Sequence, residues 1–379
     1  MFKKYLFFFS FCFLLIDCDK KLKINDSDFV DVFGGFKNVF FINKKNGSYI
    51  LNDLIIIPEN KTLVISNGVE IVVKNGGGII NNGVLVFGEN KKNDSLFFYK
   101  NDSFNNIIHP YNISIKSKTK EFNILGNGEI FFYSVLFKNI NINYSGNLFS
   151  NNSLFINSSI VLDSSNFFIE NSILNKINLS LNNSILKINN SLIINSSDYF
   201  YINNSKNLLI NNSFIFNNKG FVFNNIFNGN ILNNIFLKNE KTIDFNLNNS
   251  GYFKLYNNLI IENNIFINKS DSSRLFLLNN TIDKNSIVLN NFNNYKSIIS
   301  KNNIYSYNDS INNNITHSYC LSNTDSLNGY FNIYSDPLYI NNKFYNYNLN
   351  INSKAIRSGN NNANLGVNLK HIYYNKYLK

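Results

Sequence analysis

The sequence predicts an all-β solenoid, in which coils of about 22 residues stack directly on one another and each coil contributes three short strands. Two observations support this fold class. Short runs rich in β-branched residues recur at close intervals, bounded by Gly or Asn. In the second half of the chain, an Asn-Asn pair followed by an apolar triplet returns at a nearly fixed interval, and such a period indicates stacked repeats.

The short runs begin at residue 48 and have the composition of β-strands. They are Ser48–Leu51, Leu54–Ile57, Thr62–Ile65, Val69–Val73, Ile79–Ile80 and Val84–Phe87. Each run is apolar and largely β-branched, and the segment from Pro58 to Lys61 has the composition of a turn. We therefore expect strands separated by tight turns from residue 48 onward.

The repeat is clearest between residues 189 and 239. Asn189–Asn195 returns as Asn211–Asn217 and again as Asn233–Asn239, and both steps are 22 residues. Weaker copies at less regular spacing begin at Asn263, Asn279 and Asn302. At about 3.3 Å per strand residue, such a unit forms one loop of three short strands joined by turns.

Asparagine suits the corners of such a coil. It tolerates the left-handed backbone conformation better than other non-glycine residues, and it is a poor helix former. If corners stack, each amide can donate to one neighbour and accept from the other, as in cross-β amide ladders. The alternative is an Asn-rich low-complexity tract that aggregates. The regular apolar triplets favour a folded solenoid.

The charge of the chain is basic but dispersed. The 35 Lys and Arg residues outnumber the 24 Asp and Glu residues, which gives a formal net charge of +11. The lysines are scattered along the chain, mostly as single residues, and form no concentrated stripe. The pattern predicts a solvated surface and no nucleic-acid partner.

The N-terminus has the features of an export signal. Lys3 and Lys4 precede an apolar run from Tyr5 to Ile16, which is too short to cross a bilayer, since that takes about 20 residues. The run ends in Leu15-Ile16-Asp17-Cys18, which resembles a bacterial lipobox, although Asp17 departs from the small residue expected there. We predict an exported protein of the outer membrane or cell surface, lipid-anchored at Cys18. The alternative is ordinary secretion.

Cysteine usage excludes a disulfide framework. The chain has three cysteines, and Cys12 and Cys18 belong to the leader region. Cys320 then stands alone, and one cysteine can form neither an internal disulfide nor a zinc cluster. We interpret it as a small buried apolar residue. A catalytic thiol would need a base, for which only the nearby His317 is available.

The middle of the chain resembles the right-handed parallel β-helix repeat proteins, the architecture of pectate lyases and many exported bacterial proteins. The segments that carry the resemblance are Gly47–Ile71, Asp336–Tyr339, Ser353–Gly359 and Asn364–Val367. The last three resemble the Asp-Pro-Leu-Phe, Ser-Pro-Ala-Ile-Asp-Ala-Gly and Asp-Ile-Gly-Ala segments that close such helices. Here Lys354 replaces Pro, and Arg357 and Asn364 replace two family aspartates.

The N-terminal leader pattern and the resemblance together imply the domain organisation. We predict a signal peptide at residues 1–17 and a linker with an N-terminal cap at 18–47. A parallel β-helix would follow at 48–337, and a C-terminal capping segment at 338–379. Caps are expected because the end coils of a solenoid expose strand edges.

The resemblance specifies activity poorly, because its members include lyases, hydrolases, epimerases and adhesins. A lyase needs a cation or Ca²⁺ beside a base, and the most charged stretch in the repeats, Lys269 to Arg274, supplies the candidate base Lys269 and a candidate substrate-binding Arg274. The carboxylates form no calcium cluster in sequence. Glu240 and Glu262 are 22 residues apart but occupy different phases of the repeat. We therefore expect no cofactor, with Ca²⁺ only under a lyase interpretation.

Tyrosine offers a binding alternative, because Tyr rings on a solenoid face could stack on sugars. The candidates are Tyr199, Tyr201, Tyr252, Tyr256, Tyr295, Tyr305 and Tyr307. They could instead pack at coil ends. Because charged groups are scarce within the repeats, the sequence favours a monomeric, non-catalytic surface protein that binds carbohydrate or another surface. The alternative is a polysaccharide lyase or a related carbohydrate-active enzyme.

Overall fold

Three parallel sheets form the three sides of the molecule, which confirms the predicted fold class. The computed structural model describes residues 38–43, 48–74, 77–88, 113–117, 122–246, 251–269, 273–290, 298–311, 315–324 and 326–371. Cys18, the predicted signal peptide and nearly all of the predicted 18–47 segment lie outside these residues. No helix in the described ranges is long and apolar enough to span a membrane.

Each described coil up to Asn290 contributes one strand to each of the three sheets in turn. In the described residues, the first sheet comprises Val39–Ile42, Thr62–Ile65, Val84–Phe87, Glu129–Tyr133, Asn147–Asn151, Asn166–Glu170, Ile185–Asn189, Asn207–Asn211, Asn228–Leu232, Tyr252–Tyr256, Arg274–Leu278, Ile298–Lys301, Thr316–Ser318 and Gly329–Tyr330. The second comprises Tyr49–Leu51, Glu70–Val73, Ile113–Ser117, Val135–Lys138, Leu154–Ile156, Ile173–Asn175, Leu192–Ile194, Phe214–Phe216, Ile235–Leu237, Leu259–Ile261, Thr281–Asp283, Ile304–Ser306, Leu321–Ser322 and Ile333–Tyr334.

The third sheet ends earlier than the other two. Its described strands are Leu54–Ile57, Gly78–Asn81, Phe122–Gly126, Ile140–Tyr144, Ser159–Asp163, Asn178–Asn182, Phe200–Asn203, Phe221–Asn224, Lys241–Asn246, Ile265–Lys269 and Ile287–Asn290. After the last coil, Tyr339–Asn341 and Asn346–Leu349 form an antiparallel pair. The same C-terminal segment contains short 3₁₀ turns at Asn342–Phe344, Asn360–Asn362 and Leu369–His371.

Alternation along each strand builds the core. In Glu129–Tyr133, Ile130 and Phe132 are fully buried while their neighbours face outward. Since neighbouring strands pair in register, inward side chains of successive coils stack in columns. The ring centroids of Phe132 and Phe137 are 4.8 Å apart, and those of Phe137 and Phe155 are 5.2 Å apart. The core is therefore a continuous apolar column inside the three sheets.

Most corners are turned by a residue in the left-handed conformation, usually Asn. The corners after the first-sheet strands show this at Asn152, Asn171, Asn190, Asn212, Asn233, Asn257, Asn279 and Asn302, with φ between 47° and 57°. Asn adopts this region at lower cost than other residues with a side chain. The predicted role of Asn at the corners is confirmed.

The predicted register holds at its first step and fails by one residue at the second. Ser191 donates its backbone N–H to the hydroxyl of Ser213, 22 residues later. Ser213 in turn donates its N–H to Oδ1 of Asn234, which is only 21 residues later. The second Asn of the Asn233-Asn234 pair thus takes the inward position that serine holds in the earlier coils. The prediction of 22 residues was wrong for the second step. The pair Asn233-Asn234 aligns with Asn212-Ser213 of the preceding coil, and not with Asn211-Asn212.

The inward corner residues form a buried polar ladder. Its members after the first-sheet strands are Ser153, Ser172, Ser191, Ser213, Asn234, Asn258, Asn280 and Asn303. Asn258 Oδ1 accepts the N–H of Asn234 at 2.9 Å and its amide Nδ2 at 3.1 Å. The same Nδ2 donates to the carbonyl of Ile210 at 2.8 Å. The predicted stacking of amides between coils is confirmed, and the stacked groups are buried as well as exposed.

The C-terminal segment lies along the outer side of the second sheet. Tyr347 donates its hydroxyl to Asp283 at 2.6 Å, and Gly366 donates its N–H to the carbonyl of Asn302 at 2.8 Å. Tyr345, Tyr347, Val367 and Leu369 pack against outward apolar residues of that sheet. The described part of the segment therefore covers the outer side of the second sheet across several coils. Its predicted role as an end cap stays a prediction.

We predict that Asn258→Leu lowers the free energy of unfolding by about 2 to 4 kcal/mol, because the buried N–H and Nδ2 of Asn234 lose their shared acceptor. Asn258→Ser should cost less, since a serine hydroxyl accepts the same type of backbone N–H between Ser191 and Ser213. Urea unfolding and hydrogen exchange at the Asn234 amide measure both. The control is Asn264→Ala at an exposed position, and an equal loss in that control would contradict the ladder's role.

We also predict a pH dependence from Asp283. Burial raises the pKa of this carboxyl, and hydrogen bonds from Ser306 and Tyr347 offset only part of that rise. The folded state then binds the proton more tightly than the unfolded state, so the free energy of unfolding falls as pH rises from 3.8 through the raised pKa. Asp283→Asn should flatten that fall in denaturation curves recorded across pH. The exposed Asp309→Asn should leave it unchanged, and an unaltered slope in Asp283→Asn would disprove the assignment.

Candidate functional site

The outward side chains of three consecutive first-sheet strands form a surface that we call the cationic aromatic face. Its members are Tyr252, Lys254, Tyr256, Arg274, Phe276 and Lys301. They point outward because the residues between them, such as Phe253 and Leu255, are buried in the core. The alternation of each strand thus brings residues that are far apart in sequence to one side of the solenoid.

Register fixes the neighbours within this face. Tyr252 lies beside Arg274, and Lys254 lies beside Phe276. The Tyr252 and Phe276 ring centroids are 4.9 Å apart, and Lys254 Nζ lies 4.7 Å from the centre of the Tyr256 ring. Tyr252 and Tyr256 are 39% and 37% exposed. Both tyrosines therefore present accessible ring surface beside a cation.

The charges of the first sheet are segregated along the solenoid. In its described strands, the acidic residues are Glu129 and Glu170, both in earlier coils. Lys254, Arg274 and Lys301 occupy three successive coils later in the chain, where those strands contain no acidic residue. Neighbouring coils are about 4.8 Å apart. The later coils of the first sheet consequently carry a short cationic track on their outer side, along the solenoid axis.

A second feature is a shallow hollow on the third sheet, which we call the third-sheet depression. Its lining residues are Ser159, Val161, Asn178, Leu179, Ser180, Asp198, Tyr199 and Tyr201. In one outward row, Val161, Ser180 and Tyr201 follow one another in register in successive coils. The short serine between two larger side chains leaves the hollow.

The sequence candidates Lys269 and Arg274 lie on different sides of the solenoid. Lys269 ends a third-sheet strand and is 1% exposed, whereas Arg274 begins a first-sheet strand and is exposed. Arg274 belongs to the cationic aromatic face. No contact between the two side chains occurs in the described residues, and the catalytic roles of both remain predictions.

The candidate tyrosines separate into three groups. Tyr199, Tyr201, Tyr252 and Tyr256 line the two outward surfaces. Tyr305 is fully buried in the core, and Tyr307 donates its hydroxyl to Asp336 at 2.5 Å. Tyr295 lies outside the described residues. The sugar-stacking hypothesis therefore keeps four of the seven on these two surfaces. Tyr305 is excluded because it points inward, and Tyr307, although 41% exposed, lies outside both surfaces with its hydroxyl bound to Asp336.

His317 and Cys320 meet through Ser300, deep in the core. His317 Nδ1 is 2.9 Å from the Ser300 hydroxyl, and Cys320 Sγ is 3.6 Å from the same hydroxyl. Both residues are 0% exposed, and burial raises the pKa of the Cys320 thiol to about 11. Such a thiol stays protonated at neutral pH and has no access to substrate. The interpretation of Cys320 as a buried core residue fits this position.

Two carboxylate predictions can be placed. Glu240 lies directly before the third-sheet strand Lys241–Asn246 and donates its N–H to the carbonyl of Asn218. Glu262 instead lies in a left-handed corner equivalent to that of Lys238. They occupy different phases, as predicted. Within the described ranges, no three His, Cys, Asp or Glu side chains lie close enough to hold a metal ion.

Sequence reasoning missed the cationic track and the depression. Lys254, Phe276 and Lys301 are unremarkable as isolated residues, and Ser180 gives no signal of its own. Both surfaces could have been found from the alternation of buried and outward positions within each strand. That alternation is informative only when the register between neighbouring coils is known.

Comparison with known proteins supports the fold alone. No protein-family profile matches the chain, and no curated protein matches it. Among solved structures, the chain is similar to the periplasmic alginate epimerase AlgG, with a TM-score of 0.50 and 13% identity over 84% of each chain. A double mutant of that enzyme matches with a TM-score of 0.44 and 13% identity, over 76% of this chain and 78% of that one. At this identity, the likeness establishes a shared β-solenoid architecture.

Proposed function

We propose that the chain is an exported, non-catalytic β-helix protein that binds acidic polysaccharide along its cationic aromatic face. One observation carries the proposal: Lys254, Arg274 and Lys301 occupy successive coils beside two exposed tyrosine rings, in strands free of acidic residues. A polymer with regularly spaced carboxylates or sulfates is a ligand that repeats, as the coils do.

The chemistry of the face suits such a ligand. The guanidinium of Arg274 can hold a carboxylate through two parallel hydrogen bonds, and the lysines act as point charges. The Tyr252 and Tyr256 rings offer apolar surface with a polar edge. Because the groups lie on strands of a rigid sheet, little order has to be gained on binding.

Export supports this assignment and is part of the proposal. The N-terminal segment has the features of a leader, and the solved structure with the same architecture is that of a periplasmic enzyme. We propose attachment to the membrane through lipid on Cys18, with secretion as the alternative. The protein would act as a monomer, with its solenoid holding the binding face away from the membrane.

The alternative is a polysaccharide lyase or a related carbohydrate-active enzyme. It would need a base beside Arg274, and Lys269 is buried on another side of the solenoid. Release of unsaturated uronate from alginate, pectin or chondroitin, seen as new ultraviolet absorbance, would favour this alternative over pure binding.

We predict that the protein binds alginate or polygalacturonate and that Arg274→Ala and Lys254→Ala each weaken binding about two- to fivefold, since an exposed ion pair contributes up to about 1 kcal/mol. The double variant should lose about four- to twenty-fivefold, since independent effects on the binding free energy add. Binding of the wild type should weaken as salt rises from 0.05 to about 0.5 M, because exposed charges are screened. Affinity electrophoresis and calorimetry measure these changes.

The matched control is Lys138→Ala, which removes an exposed lysine from a second-sheet strand. It should bind as the wild type does. Arg274→Lys should retain part of the affinity. If Lys138→Ala weakens binding as much as Arg274→Ala, attraction by overall net charge would replace the proposed face.

A further inference from the structure

We infer that the third-sheet depression is a second binding site, specific for a neutral saccharide. It lies on a different side of the solenoid from the cationic aromatic face and involves none of its residues. Failure of binding at one of the two surfaces would therefore leave the proposal for the other surface intact.

The shape of the depression follows from register. Asn178 lies between Ser159 and the position of Tyr199, while Ser180 lies between Val161 and Tyr201. The strands on either side of the Ser180 strand are about 9.6 Å apart, which is two strand spacings. The 38% exposed Tyr201 forms one wall of this gap, and the 41% exposed Val161 forms the other. A single sugar ring can enter edge-on and lie against the tyrosine.

Three polar side chains of the depression are unused by the protein itself, whereas Asp198 accepts the N–H of Tyr199 at 2.8 Å. Asn side chains on the same sheet form ladders between coils, as between Asn203 and Asn224 at 2.6 Å. In contrast, the side chains of Ser159, Asn178 and Ser180 make no hydrogen bond within the described structure. Three side chains that can both donate and accept thus surround one hollow.

The charges around the depression select a neutral ligand. The Asp198 carboxylate lies at the rim, where it would repel a uronate and accept hydrogen bonds from sugar hydroxyls. Lys219 Nζ lies 4.7 Å from the centre of the Tyr199 ring, and Lys241 Nζ forms a 3.1 Å ion pair with Asp244. Both nearby cations are therefore engaged with protein groups, and Tyr201, whose ring packs edge-on against Tyr199 at 6.1 Å, keeps 38% of its surface exposed.

This placement gives one molecule two different binding surfaces. An acidic chain on the first sheet and a neutral saccharide on the third sheet would occupy separate sides of the same three-sided solenoid. A stiff solenoid with two such sites would bridge two glycans.

The test uses the full chain and tetrasaccharides of glucose, mannose, galactose and N-acetylglucosamine, with binding followed by calorimetry and NMR. At least one should bind the wild type, and Tyr201→Ala should weaken it about tenfold or more through loss of the ring contact. Tyr201→Phe should retain binding. Ser180→Val should abolish it by filling the gap, and an outward β-branched residue suits this strand, so the fold is expected to persist.

The matched control is Thr316→Val, an outward first-sheet position, which should change nothing. Circular dichroism confirms that each variant is folded. The inference is overturned if no tetrasaccharide binds, or if Ser180→Val binds as well as the wild type. Alginate binding by Tyr201→Ala and Ser180→Val is measured in parallel and should equal that of the wild type. If the wild type does not bind alginate, only the proposed function is rejected.

Discussion

The fold depends on the hydrogen bonds that pass between corners of successive coils. At the corner after each first-sheet strand of the central coils, a left-handed Asn turns the chain and the next residue points its polar side chain inward, where water cannot reach it. A buried amide without a partner would cost about 1 to 3 kcal/mol. Each ladder residue avoids this only if the next coil places Ser or Asn directly above it. The ladder therefore fixes the register of neighbouring coils as well as adding stability.

Register decides which residues share a surface. Once Asn234 accepts from Ser213 and Asn258 accepts from Asn234, the following strands are set, and alternation sends every second side chain outward in a fixed row. A shift of one residue would move Tyr252 and Lys254 into the core. The candidate binding faces are thus consequences of the buried ladder, and an insertion between coils alters them only if it changes the corner.

The sequence was sufficient for the repeat, the corners and the parallel stacking, because these follow from local preferences of Asn and β-branched residues. It was insufficient for the Asn234 shift, since Ser213 and Asn234 are chemically different but occupy equivalent inward positions. It also could not place Tyr305 inside and Tyr201 outside, because both follow from strand registers that variable loops obscure. Ser180 became informative only when its neighbours across the sheet were known.

The two candidate surfaces lie in parts of the solenoid that are built differently. Ladder partners near the depression are serines, which are 19 residues apart between Ser153 and Ser172 and 22 apart between Ser191 and Ser213. Ladder partners near the cationic aromatic face are 22 to 24 residues apart and are asparagines, as between Asn234 and Asn258. Each inward Asn amide donates both to the Oδ1 of the next Asn and to a carbonyl of the preceding coil, as Asn234, Asn258 and Asn280 do. The ladder therefore stays continuous although the spacing of its partners varies from 19 to 24 residues, and the outward rows can differ without interrupting the stack.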